Sequence, residues 1–119
     1  MKVKTLTLFF LFFASVVIFQ GKAIAWGPLT HMTLLDDILK NRSLNPDVKR
    51  ILRENIKYAK GGATGSDMYY FIDKRYADIA HYCSPGDFAR KMLEMGKKDG
   101  DPKKIAFAYG WIIHMATEL

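Results

Sequence analysis

The stretch AFAYGWIIHMATE, residues 106 to 118, decides the fold. It follows Asp101-Pro102, a pair that typically opens a helix because aspartate caps the first turn and proline fits into it. Large and small apolar side chains then recur at helical spacing, at Ile105, Ala108, Trp111, Ile112 and Met115. The stretch therefore predicts a long helix with one apolar face.

The same helix carries groups that packing alone does not require. His114 and Glu118 are four residues apart, so both side chains project from one face, and Gly110 lies one turn earlier. A glycine inside a helix costs about 1 kcal/mol relative to alanine, which indicates that another group approaches the backbone closely there. The His114/Glu118 pair leaves two interpretations open, a metal site or a core histidine with one hydrogen bond.

Three further stretches upstream predict helices. The first runs from Pro28 to Lys40, and the second begins at Asn45-Pro46 and ends at Gly61-Gly62. The third begins at Ser84-Pro85 and ends near Gly96. No segment alternates with the period of a β-strand, so we predict an all-α helical bundle.

A glycine-rich connection, Gly61 to Gly65, follows the second helix and is expected to be flexible. It leads to Asp67 and to an aromatic run, Met68 to Phe71. A flexible connection would let the Asp67 carboxylate turn inward, towards His81 fourteen residues later. We expect the aromatic run to pack in the core, and a role in stacking on bases is the alternative.

The first 25 residues have the pattern of a secretory signal peptide. A basic start precedes an apolar run from Leu6 to Phe19, and Ala23-Ile24-Ala25 is a small-x-small cleavage site. The apolar run is shorter than the roughly 20 residues that a membrane-spanning helix needs. We expect cleavage after Ala25, so that an exported protein, periplasmic or secreted, begins at Trp26 and residues 26–119 form one domain.

Charge and cysteine content limit the function classes. The leader contributes three lysines to the total formal charge of +6, which leaves +3 on the mature chain. Such a mild and scattered excess is not the basic footprint of a nucleic-acid-binding surface. The single cysteine, Cys83, cannot form an internal disulfide, and we expect a small buried apolar residue rather than a zinc ligand.

Cleavage after Ala25 would also place a possible metal ligand near a histidine. His31 follows Trp26 by five residues. The pKa of a free α-amine is about 8, so a metal can displace its proton at neutral pH while the carbonyl oxygen of the same residue completes a chelate. The alternative is that Trp26 is only the first core residue.

Four segments in order resemble the zinc-dependent phospholipase C family, also called the phospholipase C/D domain, which is related to the zinc-dependent single-strand nucleases. They are WGPLTH at residues 26–31, GATGSDMYYF at 62–71, HY at 81–82 and AFAYGWIIHMATE at 106–118. Together they span essentially the whole mature chain and include every histidine. The resemblance implies an all-α domain that binds up to three zinc ions when complete.

Carried over by position, the resemblance implies two zinc sites in this chain. One would be held by Trp26, through its amine and carbonyl, together with His31 and Glu118. The ligands of the other would be Asp67, His81, His114 and the same Glu118, with Asp67 also the catalytic residue. The family usually has aspartate in place of Glu118, so the bridge between the two sites stays open. Family members also continue with further ligands, and we expect a domain that is incomplete after its fourth long helix.

The activity implied by the resemblance is phosphodiester hydrolysis at phospholipid head groups, with water activated by zinc attacking phosphorus. A phospholipid or a membrane surface would be the partner, and no protein partner is indicated. Two alternatives remain, a single-strand nuclease acting on nucleic acid and a non-catalytic exported domain that binds zinc. Because the later ligands of the family do not occur in the sequence, whether the chain is itself an enzyme is left open.

Overall fold

The computed structural model describes residues 27–118, and every regular element in that range is helical. The helices are α1 (Pro28–Ile38), α2 (Pro46–Glu54), α3 (Ile56–Met68), α4 (Lys74–Tyr82), α5 (Pro85–Asp99) and α6 (Pro102–Thr117). A short 3₁₀ turn, Tyr69–Phe71, joins α3 to α4. The predicted all-α class is confirmed. The predicted signal peptide lies outside the described residues.

Local sequence explains where the helices begin and end. Proline occupies the first turn of α1, α2, α5 and α6. The Asn45 side chain accepts hydrogen bonds from the first backbone N–H groups of α2, and Asp101 accepts one from Lys103 N–H at α6. Helix α5 runs past the predicted end at Gly96 to Asp99, and Gly100 caps it. The φ of Gly100 is +64°, a left-handed conformation that glycine adopts without strain.

The glycine-rich stretch is not the flexible connection that its composition indicated. The predicted second helix breaks at Asn55, where φ is −121° and ψ is 36°, and a new helix resumes at Ile56. Helix α3 then runs without interruption through Gly61, Gly62 and Gly65. The prediction that the second helix ends at Gly61-Gly62 is therefore wrong, and Asp67 is held on a helix.

Close packing of α3 against α6 explains why glycine is tolerated inside both helices. A Cβ atom on Gly62 would overlap the carbonyl oxygen of Phe107, and one on Gly110 would overlap the carbonyl oxygen of Ala59. The two backbones touch at these positions, and only glycine leaves room for that approach. The close approach predicted at Gly110 is confirmed, and its partner is the backbone of α3.

The core lies where α1, α2, α3 and α6 meet. Its buried side chains are Leu35, Leu39, Leu52, Ala59, Ala63 and Ala106. Helix α5 packs on the other side of α6, where the Phe88 and Trp111 rings meet edge to face with centroids 5.3 Å apart. Within residues 27–118, no helix has the length and apolar character needed to cross a membrane.

Helix α4 was not predicted from the sequence. Asp73 caps it by accepting a hydrogen bond from Arg75 N–H. Only Ala77 is fully buried among its residues, and the His81 side chain is 5% exposed. Its position brings His81 to the junction of α1, α3 and α6.

Candidate metal centre

Three histidines and two carboxylates converge at one end of the bundle. His31 comes from α1, Asp67 from the last turn of α3, His81 from α4, His114 from α6, and Glu118 follows the end of α6. His31 and His114 are fully buried and Asp67 is 7% exposed. Charged and polar groups at this depth need partners, since burying them unpaired costs free energy. We call these five residues the cluster.

The distances within the cluster are those of ligands facing a common centre. His31 Nε2 lies 3.5 Å from Asp67 Oδ2 and 3.3 Å from Glu118 Oε1. His81 Nε2 lies 3.4 Å from Asp67 Oδ1 and 3.7 Å from Glu118 Oε2, and His114 Nε2 lies 3.6 Å from Asp67 Oδ1. Ligand atoms of His31, Asp67, His114 and Glu118 all lie within 4.8 Å of one another.

Hydrogen bonds to backbone carbonyls fix which ring nitrogen carries the proton in two of the histidines. His81 Nδ1 donates to the Ala77 carbonyl at 2.7 Å, and His114 Nδ1 donates to the Ala63 carbonyl at 2.8 Å, because a carbonyl oxygen only accepts. When the histidines are neutral, the Nε2 atoms of His81 and His114 therefore carry lone pairs that face the centre.

The third histidine is oriented in the same way by a hydroxyl. Thr117 Oγ1 donates its one proton to the backbone carbonyls of α6, at 3.0 Å to Ile113 and 2.9 Å to His114. The same Oγ1 lies 3.3 Å from His31 Nδ1, where its lone pair can accept from an N–H at that nitrogen. All three histidines thus turn Nε2 towards the inside of the cluster.

This arrangement fits a divalent cation. His81 Nε2 and His114 Nε2 are 3.1 Å apart, and two lone pairs at that distance repel unless a positive charge lies between them. His31 Nε2 and Asp67 Oδ2 are buried without a hydrogen-bond partner. The two carboxylates bring two formal negative charges, which a divalent cation balances. Imidazole and carboxylate are ligands that Zn²⁺ prefers.

Burial keeps one of the ligands in its binding form. Desolvation lowers the pKa of His114 below its ordinary value, and the neighbouring His31 lowers it further. The opposing effects of Asp67, the Ala63 carbonyl and Glu118 are smaller. His114 is therefore neutral at neutral pH, and its Nε2 lone pair is available to a metal.

The structure brings together five of the six residues predicted as metal ligands: His31, Asp67, His81, His114 and Glu118. The sixth, Trp26, lies outside the described residues. The five form one continuous cluster, in which Asp67 and Glu118 each face two or more histidines. The assignment of individual ligands to two zinc sites, and of the catalytic role to Asp67, stays a prediction.

Other parts of the site were missed or misjudged at the level of sequence. Thr117 and the carbonyls of Ala63 and Ala77 orient the imidazoles. Of these groups, only Thr117 could have been noticed in the sequence, because it lies three residues after His114. The aromatic run expected in the core is exposed, with Phe71 at 77%. Cys83 is exposed rather than buried, because it follows the last turn of α4 beyond the edge of the core.

A groove of about 780 Å³ opens beside the cluster and reaches His81 and Glu118. It runs between α5 and α6, and most of its lining is apolar: Tyr82, Pro85, Gly86, Ala89, Leu93, Ile112, Met115 and Ala116. Arg90 is the one cation among its lining residues, and its guanidinium is paired with Asp87 and Glu94. The groove therefore offers an apolar molecule a path to the cluster.

Comparison with known proteins gives one match. Residues 30–117 match the model of the family described as zinc dependent phospholipase C. That span covers more than half of the chain and contains His31, Asp67, His81 and His114, and it ends one residue before Glu118. No match was found among curated proteins or among solved structures.

Proposed function

The chain belongs to the zinc-dependent phospholipase C family, and from that premise we propose that it is an exported phosphodiester hydrolase that cleaves phospholipid head groups. The observation that carries the proposal is the cluster, in which three inward-facing imidazoles and two carboxylates meet in a buried position. Zinc would be held there by His31, Asp67, His81, His114 and Glu118, and we propose the amine and carbonyl of Trp26 as a further ligand.

When bound, zinc supplies a Lewis acid that polarises a phosphoryl oxygen and lowers the pKa of water to about 7. The residues of the chain do the rest. Backbone carbonyls and Thr117 hold the imidazoles in a fixed orientation, which removes the cost of ordering them during each turnover. We propose that Asp67, through the carboxylate oxygen that is not bound to the metal, accepts the proton of the attacking water and passes it to the glycerol oxygen as the bond from that oxygen to phosphorus breaks.

The apolar groove supports a lipid substrate over a nucleic acid. A diacylglycerol group would lie along Leu93, Ile112 and Met115 while the phosphodiester reaches the cluster at His81 and Glu118. A polynucleotide would need cations for its successive phosphates. Arg90 is the one cation among the lining residues of the groove, and its guanidinium is already paired with Asp87 and Glu94.

A single-strand nuclease is the second candidate, and one observation favours it. Tyr70 is 43% exposed and its ring centroid lies 5.4 Å from that of His81. Exposed aromatic rings beside a phosphodiesterase centre are suited to stacking on unpaired bases. The mild net charge of the mature chain weighs against this candidate.

The test compares two aspartate variants of the chain purified after secretion and loaded with zinc. We expect release of phosphocholine from phosphatidylcholine by the wild type, and a loss of at least about 100-fold in Asp67→Asn. Asp37→Asn is the matched control, since Asp37 is an exposed carboxylate that pairs with Lys40, and it should keep full activity.

The other outcomes identify the alternatives. Hydrolysis of single-stranded DNA without hydrolysis of phosphatidylcholine would establish the nuclease. Tight zinc binding without turnover of either substrate would leave a non-catalytic zinc-binding domain. Equal activity of Asp67→Asn and the wild type would remove Asp67 from the catalytic step.

A further inference from the structure

An unusual number of large apolar side chains is exposed on one segment, residues 68–82. They are Met68, Tyr69, Tyr70, Phe71, Ile72, Tyr76, Ile79 and Tyr82. The most exposed are Phe71 and Ile72, each at 77%, in the turn between α3 and α4. We call these eight side chains the aromatic surface. Five of them, residues 68–72, are consecutive in the sequence. Single exposed apolar residues are common in proteins, whereas groups of them typically mark a surface that binds a partner.

The aromatic surface is continuous with the metal centre. The segment begins directly after Asp67, and it includes His81. The Tyr70 and Tyr82 rings lie beside the His81 ring, with centroids 5.4 Å and 6.1 Å away. A partner that covers this surface would therefore meet the edge of the cluster.

The charges of the segment cancel in pairs. Arg75 pairs with Asp73 at 2.6 Å, and Lys74 pairs with Asp78 at 2.8 Å. The segment carries no other Lys, Arg, Asp or Glu, so it presents apolar and tyrosyl groups with no excess of either sign. Neither a polyanion nor a strongly anionic membrane finds an electrostatic attraction there.

The side-chain types fit the boundary between a lipid bilayer and water. Phenylalanine, isoleucine and methionine gain by entering the acyl region. Tyrosine has an apolar ring and a polar hydroxyl, and it concentrates at the level of lipid head groups. A balanced charge matches head groups that carry both signs.

We propose that the aromatic surface docks on a bilayer of zwitterionic phospholipid and so brings the cluster to the head groups. The inference rests on the proposed function, which supplies the reason for a lipid surface as partner. Phe71 and Ile72 enter the bilayer first, and the tyrosines lie at the head-group level. Docking depends on apolar burial, so it is insensitive to salt.

The test measures binding to vesicles made from a phosphonate analogue of phosphatidylcholine, which cannot be cleaved at the head group. The protein is the zinc-loaded chain purified after secretion, and binding is followed by co-sedimentation. The test variant is Phe71→Ser/Ile72→Ser. The control is Met95→Ser, which removes an exposed methionine, 56% exposed, that lines a separate pocket with Tyr58 and Phe107.

We expect the double variant to bind at least about tenfold more weakly than the wild type, and Met95→Ser to bind equally well. Zinc content and the hydrolysis of short-chain phosphatidylcholine below its micellar concentration should not change in the double variant. Hydrolysis of long-chain vesicles should fall in proportion to binding. Raising the salt concentration to about 0.5 M, where charges are screened within a few ångströms, should leave binding intact.

Four results would overturn the proposal. The first two are that the double variant binds vesicles as well as the wild type does, and that Met95→Ser loses as much binding as the double variant. The third is that the wild type prefers phosphatidylserine vesicles and loses that binding at high salt. The fourth is that the wild type is a dimer in solution while the double variant is a monomer. Vesicle binding is measured without turnover, so a chain that binds vesicles but hydrolyses no lipid would refute the proposed function and leave the docking surface standing.

Discussion

At the scale of single residues, the orientation of the imidazoles decides what the cluster can do. Each histidine uses Nδ1 to hydrogen-bond a group on the protein, and each turns Nε2 inward. Leaving one buried polar atom without a partner costs about 1–3 kcal/mol, and the cluster contains two such atoms, His31 Nε2 and Asp67 Oδ2. A bound cation would satisfy both, which would link metal binding to stability at this site.

The variant His114→Ala tests whether His114 is a metal ligand or a core histidine. We expect loss of at least one zinc ion per chain, measured by native mass spectrometry, because the variant removes an inward-facing lone pair that no neighbour replaces. The matched control is Leu35→Ala. Leu35 is as fully buried as His114 and belongs to the apolar core, so its truncation costs about 2–5 kcal/mol of stability without removing a ligand.

The two variants should therefore differ in zinc content and resemble each other in thermal stability. If His114→Ala keeps its zinc and loses only stability, like Leu35→Ala, then His114 is a core residue and the cluster has another ligand set.

Spacing and the family resemblance predicted which side chains meet, but not what orients them. His114 and Glu118 share a helical face by their spacing, whereas the resemblance was needed to add His31, Asp67 and His81 to the set. The carbonyls that fix the imidazoles belong to Ala63 and Ala77. A backbone carbonyl carries no mark in the sequence, so this part of the site required the fold.

At the scale of elements, the crossing of α3 and α6 sets the distance between ligands. Asp67 lies on α3 and His114 on α6, and the Ala63 carbonyl of α3 receives the His114 Nδ1–H. Gly62 and Gly110 bring the two backbones into contact. The glycines therefore act on the metal centre at a distance, by letting its two helices approach.

Gly110→Ala tests that contact. The added Cβ would overlap the Ala59 carbonyl oxygen, so we expect a loss of about 1–3 kcal/mol in the free energy of unfolding, measured by urea denaturation. Zinc affinity should fall as well, because α6 must move away from α3. The control is Gly86→Ala in α5, where nothing lies within 4 Å of the added Cβ.

Gly86→Ala should be neutral or stabilising by up to about 1 kcal/mol, since alanine is the better helix former. Equal behaviour of the two alanine variants would show that the crossing tolerates a wider spacing.

The predictions that failed at this scale concern α3 and α4. Glycine pairs usually end helices, so the sequence predicted a flexible connection where tertiary packing keeps α3 helical through Gly61, Gly62 and Gly65. Helix α4 was missed because its apolar residues do not form a buried stripe, and Tyr76 and Ile79 are more than half exposed. By contrast, helices opened by a cap and a proline, such as α2 and α6, were predicted at their first residue.

At the scale of the whole molecule, two features adjoin the same cluster. The apolar groove reaches it along α5 and α6, and the aromatic surface adjoins it on α4. A lipid that lies in the groove and a bilayer that meets the aromatic surface would approach His81 together.

The last prediction concerns the mature amino terminus. If export frees the Trp26 α-amine, a chain with one alanine added before Trp26 should lose one zinc ion and most of its hydrolysis of phosphatidylcholine. An added peptide bond turns the amine into an amide nitrogen, which does not bind zinc at neutral pH. Zinc content is measured by native mass spectrometry and activity by phosphocholine release.

Trp26→Phe is the matched control, because it changes the side chain and keeps the amine and carbonyl. Ligation through the main chain predicts that Trp26→Phe keeps its zinc while the extended chain does not. If Trp26 serves only as a core residue, the order reverses: the substitution lowers the melting temperature, and the extension leaves zinc content unchanged. The comparison therefore tests whether cleavage after Ala25 completes the metal centre or merely releases the chain.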